Sequence, residues 1–256
     1  MRQWALRCVS GHFQDLFHSS LSLTRRAVLT PRFNADQSSA SGDVYADTVQ
    51  IGQPTATSQA VELAQTVSAQ FLQDTNNDGL VGLAFDTVNT VTPDAQKTFF
   101  TNVKSNLDSP VFTADLKRGA PGSYDFGYID ATKHTGSITY ATVDTKNSFW
   151  EFPSSGYKVG SAAFESQSID AIADTGTSLL LLETAIVTAY YKGTGATYDS
   201  SQGGYTFPCT TTLPDLTLGI GSYKAVIPGS YINYAPTDNT GTSKWPPRPM
   251  SCDKLC

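Results

Sequence analysis

The segment "AIADTGTSLLLL" (residues 171–182) decides the fold, because it places one carboxylate in a tight turn between two apolar runs. Asp174 directly follows the first run, and Gly176 permits a tight turn without the steric penalty of a Cβ atom. Hydroxyl groups that can hydrogen-bond a carboxylate or the loop backbone are supplied by Thr175, Thr177 and Ser178. The pattern predicts an acidic side chain held rigidly at a strand end, and an ordinary Asx-type turn is the alternative.

Composition narrows the class of protein. The chain has 256 residues, of which 39% are hydrophobic, and this is enough for a sizeable core in one large domain or two lobes. Only 16% of the residues are charged, against about 25% in an average domain. The hydroxyl-rich, lysine-poor remainder favours an all-β extracellular protein. A net charge of −6 argues against nucleic acid as a partner, and no apolar run is long enough to span a membrane.

Charge is distributed unevenly along the chain. Residues 1–32 carry five Arg and one Asp, residues 33–243 carry nine bases and 21 acids, and residues 244–256 carry three bases and one acid. The two ends therefore differ in composition from the body. They are either flexible basic tails or segments of separate origin. No apolar stretch of signal-peptide length precedes Arg25, so the sequence predicts no signal peptide here.

The secondary structure expected from the sequence is mainly β. Strands are predicted at 42–52, 111–116, 124–130 and 136–143, with a strand pair around a Gly-rich turn at 214–229. Helices are predicted at 92–108 and 181–193, a polar loop at 193–205, and either strand or helix at 56–72. These elements suit two lobes of broadly similar size.

Several segments besides the Asp174 turn resemble the pepsin-like aspartic proteases (peptidase A1), and in particular the secreted fungal enzymes of the penicillopepsin, aspergillopepsin and endothiapepsin type. They are "SSASGDVYADTVQIG" (38–52), "AQFLQDTNNDGLVGLAF" (69–85), the stretch 92–140 and the stretch 203–236. The similarity runs nearly unbroken from about residue 36 to about residue 240.

The resemblance implies an all-β, bilobal pepsin-like fold. It assigns residues 34–112 to a remnant of the N-terminal lobe and residues 113–243 to a C-terminal lobe without its last strands. Residues 1–33, which we expect to be disordered, and the tail 244–256 lie outside the resemblance.

The resemblance also assigns roles to the residues of the turn. In that family two Asp carboxylates, one from each lobe, share a proton and activate the water that hydrolyses a peptide bond at acid pH. Asp174 would be the second-lobe carboxylate, with Thr177 on its outer oxygen. Thr175 would tie the two loops together, Gly176 would accept the substrate backbone, and Ser178 would support the loop.

The resemblance implies further properties of the whole protein. It implies a protein or peptide substrate, inhibition by pepstatin-type compounds, no cofactor or metal, no contact with nucleic acid or membrane, a monomeric state and an extracellular location.

The other half of the dyad is not found in this sequence. Asp-Thr-Gly occurs once, and the residues before position 34 contain no Asp-Thr-Gly or Asp-Ser-Gly. Asp15 lacks a neighbouring glycine turn. Asp36 and Ser38 match the substrate-binding flap, but its tyrosine is not matched. The apolar–apolar–Gly segment that braces such a loop is kept in the first lobe (Leu80–Gly82) and lost in the second.

The C-terminal part departs from the family as well. Cys209 matches a family disulfide cysteine, and Cys252 is a displaced candidate for its partner. We therefore expect that the ends come from misjoined exons or a frame change, or that the chain is a truncated product. In either case we expect an inactive monomer.

Three alternatives stay open. Two copies of the chain could each contribute Asp174 to a dyad, as in retroviral proteases, although the first-lobe remnant would obstruct the second copy. An inactive remnant could still bind peptides or inhibitor proteins. The segment "DTNNDG" (74–79) resembles the start of a calcium loop, but Phe85 stands where the twelfth ligand should be Glu, which favours a structural role.

Overall fold

The computed structural model describes eight parts of the chain: residues 24–29, 39–73, 79–117, 120–177, 180–200, 204–233, 235–236 and 243–245. The chain divides into two compact units. The first comprises residues 1–136 together with Asp174–Gly176, and the second comprises residues 137–173 and 177–256. The predicted lobe boundary at residue 113 stays a prediction.

The first unit is built on an antiparallel sheet of three strands in the order β1-β2-β3. Its elements are β1 (Thr24–Leu29), β2 (Ala40–Gln50), β3 (Thr55–Val67), α1 (Ala69–Gln73), α2 (Phe99–Val103), β4 (Phe112–Asp115) and β5 (Ser123–Phe126). Short 3₁₀ turns occur at Asp86–Val88 and Lys104–Asn106. β4 and β5 pair as an antiparallel hairpin.

The second unit contains two four-stranded sheets, with the strand orders β11-β10-β6-β7 and β12-β13-β9-β8. Its strands are β6 (Glu151–Val159), β7 (Glu165–Ile172), β8 (Thr197–Asp199), β9 (Gly204–Pro208), β10 (Leu216–Ile220), β11 (Tyr223–Ile227), β12 (Ala235–Pro236) and β13 (Ser243–Trp245). Its helices are α3 (Thr184–Tyr191) and α4 (Gly229–Ile232).

Each unit has an apolar core of its own. The core of the first unit consists of Val49, Ala56, Leu83, Phe99, Val103 and Phe126. The core of the second unit consists of Val187, Tyr190, Tyr191, Phe207, Leu213, Leu216 and Ile232. Burying one large apolar side chain stabilises a fold by about 1.5–3 kcal/mol. Each core therefore stabilises the sheets and helices of its own unit.

A buried amide ties α2 to the edge of the first sheet. The Nε2 group of Gln59 on β3 donates to the carbonyl oxygen of Lys97 at 3.1 Å, and its Oε1 accepts from Asn102 Nδ2 at 2.8 Å. Thr98 caps the same helix, since its side chain accepts a hydrogen bond from the backbone N–H of Thr101.

The structure confirms several elements predicted from the sequence. The strand pair at 214–229 is the hairpin of β10 and β11. The predicted strands at 42–52 and 111–116 correspond to β2 and β4, and the predicted helix at 181–193 corresponds to α3. The strand predicted at 124–130 is shorter, since β5 ends at Phe126. The ambiguous stretch at 56–72 is mostly strand β3.

Other predicted elements are wrong or shorter. No strand forms over residues 136–143, where Tyr140 is 75% exposed. The helix predicted at 92–108 is confined to Phe99–Val103, with Thr98 as its N-cap. The predicted loop at 193–205 contains β8 and the start of β9. Residues 24–29 form a strand inside a segment expected to be disordered.

We predict that Gly156→Ala destabilises the β6–β7 hairpin by about 2 kcal/mol. Gly156 has φ +134°, and a Cβ atom there would press against the backbone oxygen of Glu165 on the neighbouring strand. Urea unfolding of the two chains measures the difference. Gly79→Ala is the matched control, since Gly79 has neither a positive φ nor any atom within 4 Å of an added Cβ. Equal losses in the two variants would contradict the prediction.

Candidate active site

Asp174 is placed by the hairpin of β6 and β7. The two strands pair antiparallel, with Glu151 opposite Ile172 at the end of the ladder. One further backbone bond, from the Ala173 N–H to the Trp150 carbonyl oxygen at 2.9 Å, extends the pairing to the residue before Asp174. Asp174 is therefore the residue that follows the last backbone hydrogen bond of the hairpin.

The turn itself holds the Asp174 carboxylate. Oδ1 of Asp174 accepts a hydrogen bond from the backbone N–H of Gly176 at 2.7 Å. Asp174, Thr175, Gly176 and Thr177 are all partly exposed. The local geometry is therefore the Asx-type turn that the sequence left as an alternative, and the same hydrogen bond restricts the carboxylate to one orientation.

The chain after the turn is anchored in the core of the second unit. Leu181 is buried and Leu182 packs against that core, whereas Leu180 is 37% exposed. Helix α3 begins at Thr184, two residues later.

The predicted brace of the first lobe lies in the first unit. Val81 packs against that unit's core, and the next-but-one residue, Leu83, is one of its buried members. Gly82 is exposed. The structure therefore gives the middle residue of this segment a packing role.

Several predicted site residues lie outside the described residues. They are Asp36 and Ser38 of the flap, Ser178 of the Asp174 loop, and Cys252. Cys209 is partly exposed in the turn after β9, and its pairing stays a prediction. The described residues thus bring together Asp174, Thr175, Gly176 and Thr177. The roles assigned to these four residues by the family resemblance remain predictions.

A buried carboxylate with a structural role, that of Asp125 on β5, was missed in the sequence analysis. Asp125 is 7% exposed, and Lys133 Nζ lies 2.7 Å from its Oδ1 and 2.6 Å from its Oδ2. Tyr128 and Thr113 donate further hydrogen bonds from their hydroxyls, both at 3.2 Å. The hydrogen bond from Lys133 is the largest cause that holds the pKa of Asp125 below its ordinary value.

The Asp125 cluster serves the fold of the first unit. Its carboxylate neutralises a lysine and accepts four hydrogen bonds, which is the arrangement that a buried charge requires. The sequence carried a weak signal for it, because Asp125 interrupts an aromatic strand. Only the folded turn that returns Lys133 to β5 identifies the partner.

The described residues contain no candidate metal site. Among the described residues, no group of three or more His, Cys, Asp and Glu side chains could hold a metal ion. In the segment 74–79, which resembles the start of a calcium loop, residues 74–78 lie outside the described residues. No helix in the described parts is long and apolar enough to cross a membrane.

Comparison with known proteins establishes the family. The chain belongs to the eukaryotic aspartyl proteases, since the model of that family matches residues 7–245. Endothiapepsin of Cryphonectria parasitica is 59% identical over 209 residues, which are 81% of this chain and 50% of that protein. Penicillopepsin-2 of Penicillium janthinellum is 58% identical over 202 residues, which are 78% of this chain and 51% of that protein.

A solved structure establishes the fold. The aspartic proteinase from Irpex lacteus superposes with a TM-score of 0.75 at 24% identity, over 91% of this chain and 74% of that chain. The all-β, pepsin-like fold and the resemblance to fungal aspartic proteases are therefore confirmed. The chain spans about half the length of the curated relatives it matches. The family match begins inside residues 1–33, so the place of that segment stays a prediction.

We predict that Asp125→Asn lowers the melting temperature at neutral pH and flattens its decline in acid. The pKa of Asp125 is lowered in the folded state, so the carboxylate stabilises the fold above its ordinary pKa of 3.8. That stabilisation is lost as the pH falls through the lowered value. Melting curves from neutral to strongly acid pH measure both effects, with the exposed Asp94→Asn as control. A variant profile that parallels the parent profile would contradict this assignment.

Proposed function

We propose that this chain carries one half of the catalytic dyad of an acid endopeptidase, with Asp174 as its carboxylate. The observation that supports the proposal is the Asp-Thr-Gly-Thr turn at the end of β7, in which the Gly176 N–H binds Asp174 Oδ1. The chain belongs to the aspartyl protease family, and for this reason we assign an acid–base role to the carboxylate in this turn.

Peptide hydrolysis requires two proton transfers. An ionised carboxylate takes a proton from the attacking water, and a protonated carboxyl gives a proton to the leaving nitrogen. Two adjacent carboxyls that share one proton offer both forms at once, because like charges so close do not both ionise. Asp174 by itself offers one form at a time.

The 256-residue chain contains a single Asp-Thr-Gly turn. We therefore expect this chain to be inactive as a monomer. Loss of one acid–base partner costs on the order of 10²–10⁴-fold in rate. Thr175, Gly176 and Thr177 would keep their proposed roles in loop support and substrate contact wherever a second carboxylate is supplied.

Substrate and setting follow from the same proposal. The substrate would be a protein or peptide, the place of action extracellular and the inhibitors of the pepstatin type. The low content of charged residues, 16%, and the net charge of −6 suit a protein that stays soluble outside the cell. Neither a cofactor nor a metal takes part in the proposed chemistry.

The test is an acid protease assay on the purified full chain with denatured haemoglobin, with and without a pepstatin-type inhibitor. Endothiapepsin serves as the active reference. We expect any cleavage by the monomer to be at least about 100-fold slower than that of the reference, because the second acid–base group is missing. A rate equal to that of the reference would overturn the expected inactivity.

Two further outcomes distinguish the alternatives. Cleavage per chain that rises with concentration and disappears in Asp174→Asn would indicate a dyad formed by two copies. Binding of the inhibitor without cleavage, measured by calorimetry, would favour a peptide-binding remnant. Asp170→Asn is a matched control, because Asp170 is an exposed carboxylate on the same strand, β7.

A further inference from the structure

Glu62 is a carboxylate on the apolar side of the first sheet. It lies on β3 directly opposite Val44 of β2, and the pair Ala46 and Ala60 follows in register. Directly opposed residues point to the same face of a sheet, and so do residues two apart on one strand. Val44 is 1% exposed and forms a buried cluster with Val91, against which Ala60 packs. Glu62 therefore shares its face with apolar side chains.

The carboxylate of Glu62 has an oxygen without a partner. Its Oε1 is buried and makes no hydrogen bond. A buried oxygen of this kind costs free energy when the carboxylate is ionised and much less when it is protonated. In agreement with this geometry, burial raises the pKa of Glu62 above its ordinary value of 4.5.

The residue directly opposite Glu62 on the neighbouring strand is Val44, which carries no charge. On β1, Arg25 lies opposite Tyr45 and thus on the other face, and Arg26 lies at the irregularity between Arg25 and Ala27. On β2, the titratable side chains are Asp43, Tyr45 and Asp47, which lie opposite Leu63, Val61 and Gln59 and thus on the other face. Helix α2 carries no titratable side chain. In the loop before α2, Asp86 accepts from the Thr98 N–H, and Asp94 and Lys97 are exposed. Burial is the cause that raises the pKa of Glu62.

We propose that Glu62 makes the sheet of β1, β2 and β3 more stable in acid than at neutral pH. Below the ordinary value of 4.5 the carboxyl is protonated in both the folded and the unfolded chain, so it carries no electrostatic cost. As the pH rises above that value, the unfolded chain ionises first and the folded state loses stability. The sheet thus holds a device that favours the folded chain in an acid medium, independently of Asp174.

The experiment compares melting temperatures of the full chain and of Glu62→Gln from acid to neutral pH. Glutamine has the shape of the protonated carboxyl and does not ionise. We expect equal melting temperatures in acid and a melting temperature roughly 2–4 °C higher for the variant at neutral pH, because burial raises the pKa of Glu62. Glu165→Gln is the matched control, since Glu165 is an exposed strand glutamate on β7, and it should follow the parent at every pH.

Three results would overturn the proposal. The first is a Glu62→Gln profile that coincides with the parent profile across the whole pH range. The second is a carboxyl NMR titration of the parent chain in which Glu62 has its ordinary pKa. The third is a parent chain without a cooperative transition at any pH, because the proposal requires a folded sheet.

Discussion

The antiparallel pairing of β6 with β7 is the constraint on which the site depends. Its last backbone bond, between Ala173 and Trp150, ends one residue before Asp174. A shift of one residue in this register would turn every side chain of β7 to the opposite face. Gly156 permits the irregularity in β6, at a point where the backbone of β7 leaves no room for a Cβ atom.

Two carboxyls of the first unit have opposite requirements. Asp125 is surrounded by donors and is stable in its charged form, whereas Glu62 has a buried oxygen without a donor and is stable when neutral. The first loses its benefit in strong acid, and the second is costly towards neutral pH. Together they favour a moderately acid medium, which agrees with the chemistry proposed for Asp174.

Elements whose signals are local were predictable from the sequence. The Asp174 turn, the β10–β11 hairpin and helix α3 each have their glycines, apolar runs or periodicity within a few residues. The stretch 136–143 is rich in β-branched and aromatic residues, yet it forms no strand. A strand needs a partner backbone, and strand propensity alone does not supply one.

The sequence by itself determined the family, the identity of Asp174 as its candidate carboxylate and the count of one Asp-Thr-Gly turn, because these depend on residue types at short spacing. Only the tertiary structure decided that Asp125 is neutralised by Lys133 and that Glu62 faces an apolar cluster. A carboxyl takes its protonation state from the donors, charges and solvent around it. Those neighbours come from distant parts of the chain and are set by the pairing of strands.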